Sequence, residues 1–287
     1  MPTIENFATV RYTSNGVEST AVSNLAEIDL QSSVSLFKTP LSTAYGNDTI
    51  LTYILTIQNS SGAALTGVRV EDDLGTFPFN STELTPLTYA GDAILLINGQ
   101  DVTAQLTVDA TSPSVLIFTI PSLPAGATAN IVYNAQINEF APLDLNASIL
   151  NTATLTTDTE CANGTATATV TAQSEANISV LKQMCPNPVV CGGTLTYSIR
   201  IYNYGNTPAQ DVQIIDSFDP APSNITVTRN GVVVPSSDYT YDAGVLTVPA
   251  TATAGDTIPA ATFTRDPVTG VVSVIPGMVE YVITGTI

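Results

Sequence analysis

The chain has 287 residues, of which 44% are apolar and 11% charged, with a formal net charge of −18 and no histidine. That acidity excludes charge-driven binding to nucleic acid or to an anionic bilayer. No run of 18 apolar residues is present to span a membrane, and neither a zinc ligand set nor a twelve-residue calcium loop can be assembled, so no metal and no cofactor is expected.

Strand signals begin at the N-terminus. Residues 4–13 and 19–30 alternate apolar and polar side chains around a turn at Asn15-Gly16, which reads as a hairpin. Residues 33–39 open a longer series with 52–59, 68–72, 115–120 and 131–137. All are β-branched and alternating, and turns at Asn59-Ser-Ser-Gly62, Asn98-Gly99 and Pro124-Ala-Gly126 punctuate them. A second hairpin covers 149–172, turning near Asn163-Gly164. The series then restarts at residues 177–183, continues through 196–203 and closes with 279–283. No amphipathic helix of useful length interrupts it.

The restart is a duplication. The two lysines of the chain, Lys38 and Lys182, stand 144 residues apart (182 − 38), in Ser33-Val-Ser-Leu-Phe-Lys-Thr39 and Asn177-Ile-Ser-Val-Leu-Lys-Gln183. The same offset carries Thr52-Tyr53 onto Thr196-Tyr197, Asn59 onto Asn203, Val68 onto Val212 and Asp72 onto Asp216. A period this long marks a repeated domain. The hairpin at 149–172 has no counterpart after the last strand of the second copy. Its counterpart lies at the N-terminus, where Ile4-Glu-Asn-Phe-Ala-Thr-Val10 matches Ile149-Leu-Asn-Thr-Ala-Thr-Leu155. The expected fold is all-β: two tandem immunoglobulin-like sandwiches, circularly permuted. Residues 1–30 form a donor hairpin, 31–172 a complete sandwich, and 173–287 a sandwich lacking its last hairpin. An unfinished sandwich exposes unpaired backbone and an apolar slot. The donor hairpin of a neighbouring subunit is expected to complete it by donor-strand complementation, and a head-to-tail contact that does not close gives an open filament.

Alternation also places the chemistry. Residues two apart on a strand share a face, so Lys38 continues the stripe of Val34 and Leu36, and Lys182 that of Ile178 and Val180. Asp72 continues Val68 and Val70; Asp216 continues Val212 and Ile214. Asn151 aligns with Ala153 and Leu155, as Asn6 does with Ala8 and Val10. Lysine, aspartate and asparagine are therefore all expected to point inward, where desolvation drives the amine and the acid towards their neutral forms. A neutral amine can attack the asparagine amide carbon while the carboxyl shuttles protons to departing ammonia. A buried Lys–Asp ion pair hydrogen-bonded to the asparagine would hold the same strands without a covalent bond.

Thr52-Tyr-Ile-Leu-Thr-Ile-Gln-Asn59, Val68-Arg-Val-Glu-Asp-Asp-Leu74 and Asn151-Thr-Ala-Thr-Leu-Thr156 resemble the immunoglobulin-like repeat of bacterial and archaeal surface proteins, which includes the isopeptide-forming domains of Gram-positive fimbrial subunits. The resemblance implies a cross-link between Lys38 and Asn151 promoted by Asp72 within one subunit. It implies another between Lys182 and Asn6 of the next subunit, promoted by Asp216. Gly75 where the fimbrial motif often has proline, Phe7 in place of Thr152 and the lack of a sorting signal depart from the pattern.

Cys185 and Cys191 could close a small disulfide loop or remain thiols, and Cys161 is left over, free or bridging to a neighbour. No signal peptide or wall anchor is evident at the ends. The expected function is a structural subunit of an extracellular or spore-surface, pilus-like filament. Its partners are identical subunits and an anchor or tip protein, and it has no enzymatic turnover. The alternative is a surface adhesin or surface-layer binding module that uses the insertions at 77–90 and 256–270.

Overall fold

A computed structural model describes residues 3–29, 33–159, 162–251 and 255–287; the expectation for Cys161 lies outside them. The chain is all-β, with one 3₁₀ turn at Thr103–Gln105 among the described residues. It divides into two compact units, Met1–Asn138 with Ile149–Val170, and Glu139–Ser148 with Thr171–Ile287.

Unit 1 begins with a two-stranded ribbon made of β1 (Thr3–Asn6), β2 (Thr9–Ser14), β3 (Val17–Val22) and β4 (Ala26–Asp29). β1 pairs antiparallel with β4, and β2 with β3. The turn is Asn15-Gly16, both at positive φ, the conformation that tight hairpins select these two residues for. Ala8 and Ser23 hold the junction between the two halves, with the Ser23 N–H donating to Ala8 O and the Ala8 N–H donating to Ser23 Oγ. Ile4, Phe7, Val10, Val17, Val22 and Ile28 are all exposed. The two pairings leave the outer backbone edges of the ribbon open, and the ribbon buries none of these side chains.

The rest of unit 1 runs β5 (Val34–Pro40), β6 (Ala44–Tyr45), β7 (Ile50–Asn59), β8 (Leu65–Asp72), β9 (Phe77–Phe79), β10 (Thr82–Leu84), β11 (Leu87–Ile97), β12 (Gln100–Asp101), β13 (Thr107–Asp109), β14 (Leu116–Leu123), β15 (Thr128–Ile137), β16 (Ser148–Thr156) and β17 (Gly164–Ala172). One sheet has the order β12-β11-β15-β7-β5 and the other β13-β14-β8-β16-β17-β6. The strict alternation of β7 and β15 drives Leu51, Tyr53, Leu55 and Ile57, and Ile131, Tyr133 and Ala135, into the core, where they meet Val68, Val70, Phe118 and Leu155 of the other sheet. β16 lies beside β8 and β17 beside β16, and β17 reaches over β5: a Cβ on Gly164 would sit 4.0 Å from Leu36 Cβ. Gly75 has φ +73°, and a side chain there would strike Ile149 of β16 at 2.5 Å, so glycine lets β16 close against the turn after β8.

Unit 2 comprises β18 (Ile178–Cys185), β19 (Thr194–Asn203), β20 (Ala209–Val212), β21 (Ile214–Ser217), β22 (Ser223–Arg229), β23 (Val232–Val233), β24 (Thr240–Asp242), β25 (Val245–Val248), β26 (Asp256–Ile258), β27 (Thr262–Arg265), β28 (Val272–Ile275) and β29 (Gly277–Thr286). Its first sheet, β18-β19-β29-β22-β23, repeats the order β5-β7-β15-β11-β12 strand for strand. Its second is shorter, β21-β25-β24, the counterpart of β8-β14-β13. Where β16 and β17 follow β8 in unit 1, no described strand follows β21, which is left as a sheet edge. The insertion at 77–90 contributes the hairpin β9/β10; that at 256–270 contributes β26 and β27, and β28, the hairpin partner of β27, follows it.

Candidate functional site

Three strands of unit 1 bring the predicted residues together. β5 carries Lys38, β8 ends on Asp72 and β16 carries Asn151; both charged side chains are fully buried and Asn151 is 0% exposed. Lys38 Nζ lies 2.6 Å from Asp72 Oδ2. The same oxygen accepts a 2.5 Å hydrogen bond from the Tyr133 hydroxyl, and Asp72 Oδ1 accepts from the Leu74 N–H at 3.1 Å. The amine also stands 5.2 Å from the centre of the Tyr53 ring, which stacks on Tyr133.

Asn151 is the anomaly. Neither its Oδ1 nor its Nδ2 has a hydrogen-bond partner, although both are buried. An unmet buried amide costs on the order of 1–3 kcal/mol. The hydrogen-bonded ion pair expected to include this asparagine is therefore formed by Lys38 and Asp72 without it. Burial drives the Lys38 ammonium below its ordinary value of 10.5, opposed by the Asp72 carboxylate. Burial likewise pushes the Tyr53 and Tyr133 hydroxyls well above 10.0, with the nearby Asn151 amide acting in the opposite sense on each. The site thus holds a desolvated amine, an acid in contact with it and, close to the Tyr53 and Tyr133 hydroxyls, an amide that no hydrogen bond of good geometry holds.

Unit 2 reproduces two of the three parts. Lys182 Nζ lies 2.5 Å from Asp216 Oδ1, with the rings of Tyr197 and Phe218 at 5.3 and 5.2 Å. Asp216 Oδ2 is buried and has no partner. The surroundings differ sharply. Val34 and Leu36 of β5 are 5% and 8% exposed, whereas Ile178 and Val180, at the equivalent places on β18, are 42% and 60% exposed. The Lys182 side chain is 38% exposed against 0% for Lys38. The core of unit 2, built on Tyr197, Ile199, Leu246 and Ile283, recruits no side chain from β18. The Lys182 amine reaches Asp216 as the alternation implies, yet its side chain stays partly exposed, and among the described residues no strand covers Ile178 and Val180.

Asn6 lies on β1 and is exposed. Cys185 and Cys191 are free, exposed thiols; the loop between them is not closed by a disulfide. Tyr133 was not singled out from the sequence, although it sits on the inward stripe of residues 131–137, where a polar-tipped aromatic signals a buried hydrogen bond. Its counterpart opposite Tyr197 is Ile283, so the second acid receives no tyrosine hydroxyl from β29. Elsewhere, charged groups are paired structurally. Arg229 forks onto both oxygens of Asp256 at 2.6 Å, and the Tyr281 hydroxyl donates to the same carboxylate. No group of metal-binding side chains occurs among the described residues, and no described helix is long and apolar enough to cross a membrane.

Among known proteins, the family model of translocon-associated protein beta matches residues 161–225, less than half of the chain. No curated protein matches. Solved structures similar to this chain include the major pilin subunit BcpA of Bacillus cereus, at 13% identity and a TM-score of 0.37, covering 86% of this chain and 66% of the pilin. The major pilin SpaD of Corynebacterium diphtheriae matches at 13% identity and 0.35, covering 75% and 50%. A collagen-binding domain from a Staphylococcus aureus adhesin matches at 15% and 0.32, covering 47% and 96%. At these scores neither the fold nor a function passes from those proteins to this one.

Proposed function

We propose that the protein is the structural subunit of an extracellular or spore-surface filament. The N-terminal ribbon of one subunit supplies the two strands that unit 2 of the next subunit lacks. The observation that carries this reading is the contrast between β5 and β18: the same positions in a duplicated sequence are buried in unit 1, where β17 reaches over β5, and open in unit 2. The ribbon is a free antiparallel pair with the β16-like sequence Ile4-Glu-Asn-Phe-Ala-Thr-Val10 and an exposed apolar face. Covering a large aliphatic side chain contributes about 1.5–3 kcal/mol, so seating residues such as Ile4, Val10 and Ile28 against Ile178 and Val180 offsets the cost of association.

The chemistry that locks the filament follows from the site in unit 1. Lys38 passes a proton to Asp72 across their 2.6 Å contact. The free amine attacks Asn151 Cγ, forming the Nζ–Cγ bond. As the Cγ–Nδ2 bond breaks, the amide nitrogen takes up protons by way of Asp72 and leaves as ammonia. Each domain reacts once, without turnover. In unit 2 the same steps join Lys182 to Asn6 of the neighbour, with Asp216 as the acid. Purified protein, viewed in negative stain and then boiled in detergent, gives fibres that run as a ladder of subunit multiples. Lys182→Ala fibres dissociate to single subunits. Wild-type fibres that dissolve on boiling would remove the covalent step, and the absence of fibres would remove the filament.

A further inference from the structure

Resting on that reading, unit 1 serves as a template for the finished form of unit 2. From it we infer the register in which the ribbon seats: Ala8 of the incoming subunit pairs with Asp216 on the open edge of β21. Thr9, Val10 and Arg11 then face Ile215, Ile214 and Gln213, and the outer strand is β3 beside these residues and β4 beside Asn6.

The pairing of β16 with β8 sets the inner strand. Ala153, Thr154, Leu155 and Thr156 lie opposite Asp72, Glu71, Val70 and Arg69. The repeat offset converts the β8 partners into Asp216, Ile215, Ile214 and Gln213, and the match of the two hairpins converts the β16 partners into Ala8 through Arg11. Side-chain size agrees. The residue against Asp72 is Ala153, 0% exposed, and only Ala8 in this part of the ribbon is equally small. The outer strand agrees as well. Ala168 and Val170 of β17 are buried, and β4 repeats their spacing as Ala26-Glu-Ile28. Within the ribbon Asn6 is already opposite Ala26, and Ile4 opposite Ile28, so the apolar residues of both strands stand on one face before docking.

Competing registers fail on physical grounds. A slip by one residue turns the stripe over and drives Glu5 and Arg11 into the slot. A slip by two keeps the face but moves Asn6 about 7 Å from the Lys182–Asp216 pair and forces Val10 or Asn6 into the place built for alanine.

The test uses subunits in which Cys161, Cys185 and Cys191 are serine. Full-length subunits bearing Thr9→Cys are mixed with subunits bearing Ile215→Cys and oxidised. Ile215 is 67% exposed and Thr154, the template for Thr9, is exposed, so both thiols lie on the outer face. A disulfide needs Cα atoms within about 7 Å. Cross-linked dimer is expected with Thr9→Cys and about tenfold less with Phe7→Cys or Arg11→Cys. Assembly with the strongest cross-link at residue 7 or 11, or with none at residue 9, overturns the register while leaving strand donation intact. No cross-link at any position and no assembly by light scattering overturns both.

Discussion

Within unit 1 the decisive residues are Lys38, Asp72, Tyr133 and Asn151. A buried ion pair is a weak source of net stability, because desolvation consumes most of its attraction, but removing one partner leaves an uncompensated charge at a cost of about 3–5 kcal/mol. Lys38→Ala should therefore lower the melting temperature of unit 1 strongly, whereas Lys38→Met, which fills the same space without charge, should do less harm when combined with Asp72→Asn; calorimetry on the two variants checks this. The orphaned amide of Asn151 makes sense if it is a reactant. Intact mass should be roughly 17 Da below the sequence mass for each amide formed, since one ammonia is lost, and Asn151→Ala should abolish the deficit in unit 1. The pH response separates the linked from the unlinked site. In Asn151→Ala, Lys38 keeps its amine, and burial holds that amine below 10.5. Between its folded value and 10.5 the unfolded chain binds more protons than the folded chain, so stability rises with pH across that window. Above 10.0 the buried Tyr53 and Tyr133 act the other way, because their unfolded counterparts ionise first. Denaturation midpoints taken from neutral pH up to 10.0 should climb for Asn151→Ala; the proposed amide bond predicts a flatter profile for the wild type, because an acylated lysine does not titrate.

Among the elements, β5 and β18 share an alternating apolar pattern ending on lysine and differ in what lies over it. The ribbon is exposed, so a charge placed on its apolar stripe leaves its own fold untouched yet becomes costly once the stripe is covered. Val10→Asp should leave the circular dichroism of the monomer unchanged and abolish assembly; sedimentation velocity reads the outcome. Much of this was legible beforehand. The repeat offset and strand alternation pointed to Lys38, Asp72 and Asn151 in unit 1 and to Lys182 and Asp216 in unit 2, because a half-buried strand writes its inward face into every second residue. The Lys38–Asp72 contact and the inward turn of Lys182 follow from that pattern. The role of Tyr133 was hidden because alternation marks it only as another core residue, and its hydroxyl acquires meaning from Asp72 on the opposite sheet. The division of the ribbon into two short pairings was hidden too. It depends on the local bonds between Ala8 and Ser23, in a segment whose alternation otherwise continues unbroken.

For the whole molecule, the proposed donor and acceptor are different surfaces, so pairing between copies would be heterologous and would propagate. Each subunit carries a net charge of −18, so like charges repel as subunits approach. Added salt screens that repulsion; assembly should quicken between low and physiological ionic strength, the reverse of a charge-steered complex, as stopped-flow light scattering would record. The most direct test is the molar mass in solution of the full chain and of a variant lacking residues 1–30, measured by light scattering across a concentration series. The filament account predicts multiples of the subunit that grow with concentration for the full chain and a single-subunit mass throughout for the variant. A full chain that stays at single-subunit mass, or a variant that assembles as readily without its ribbon, would contradict it.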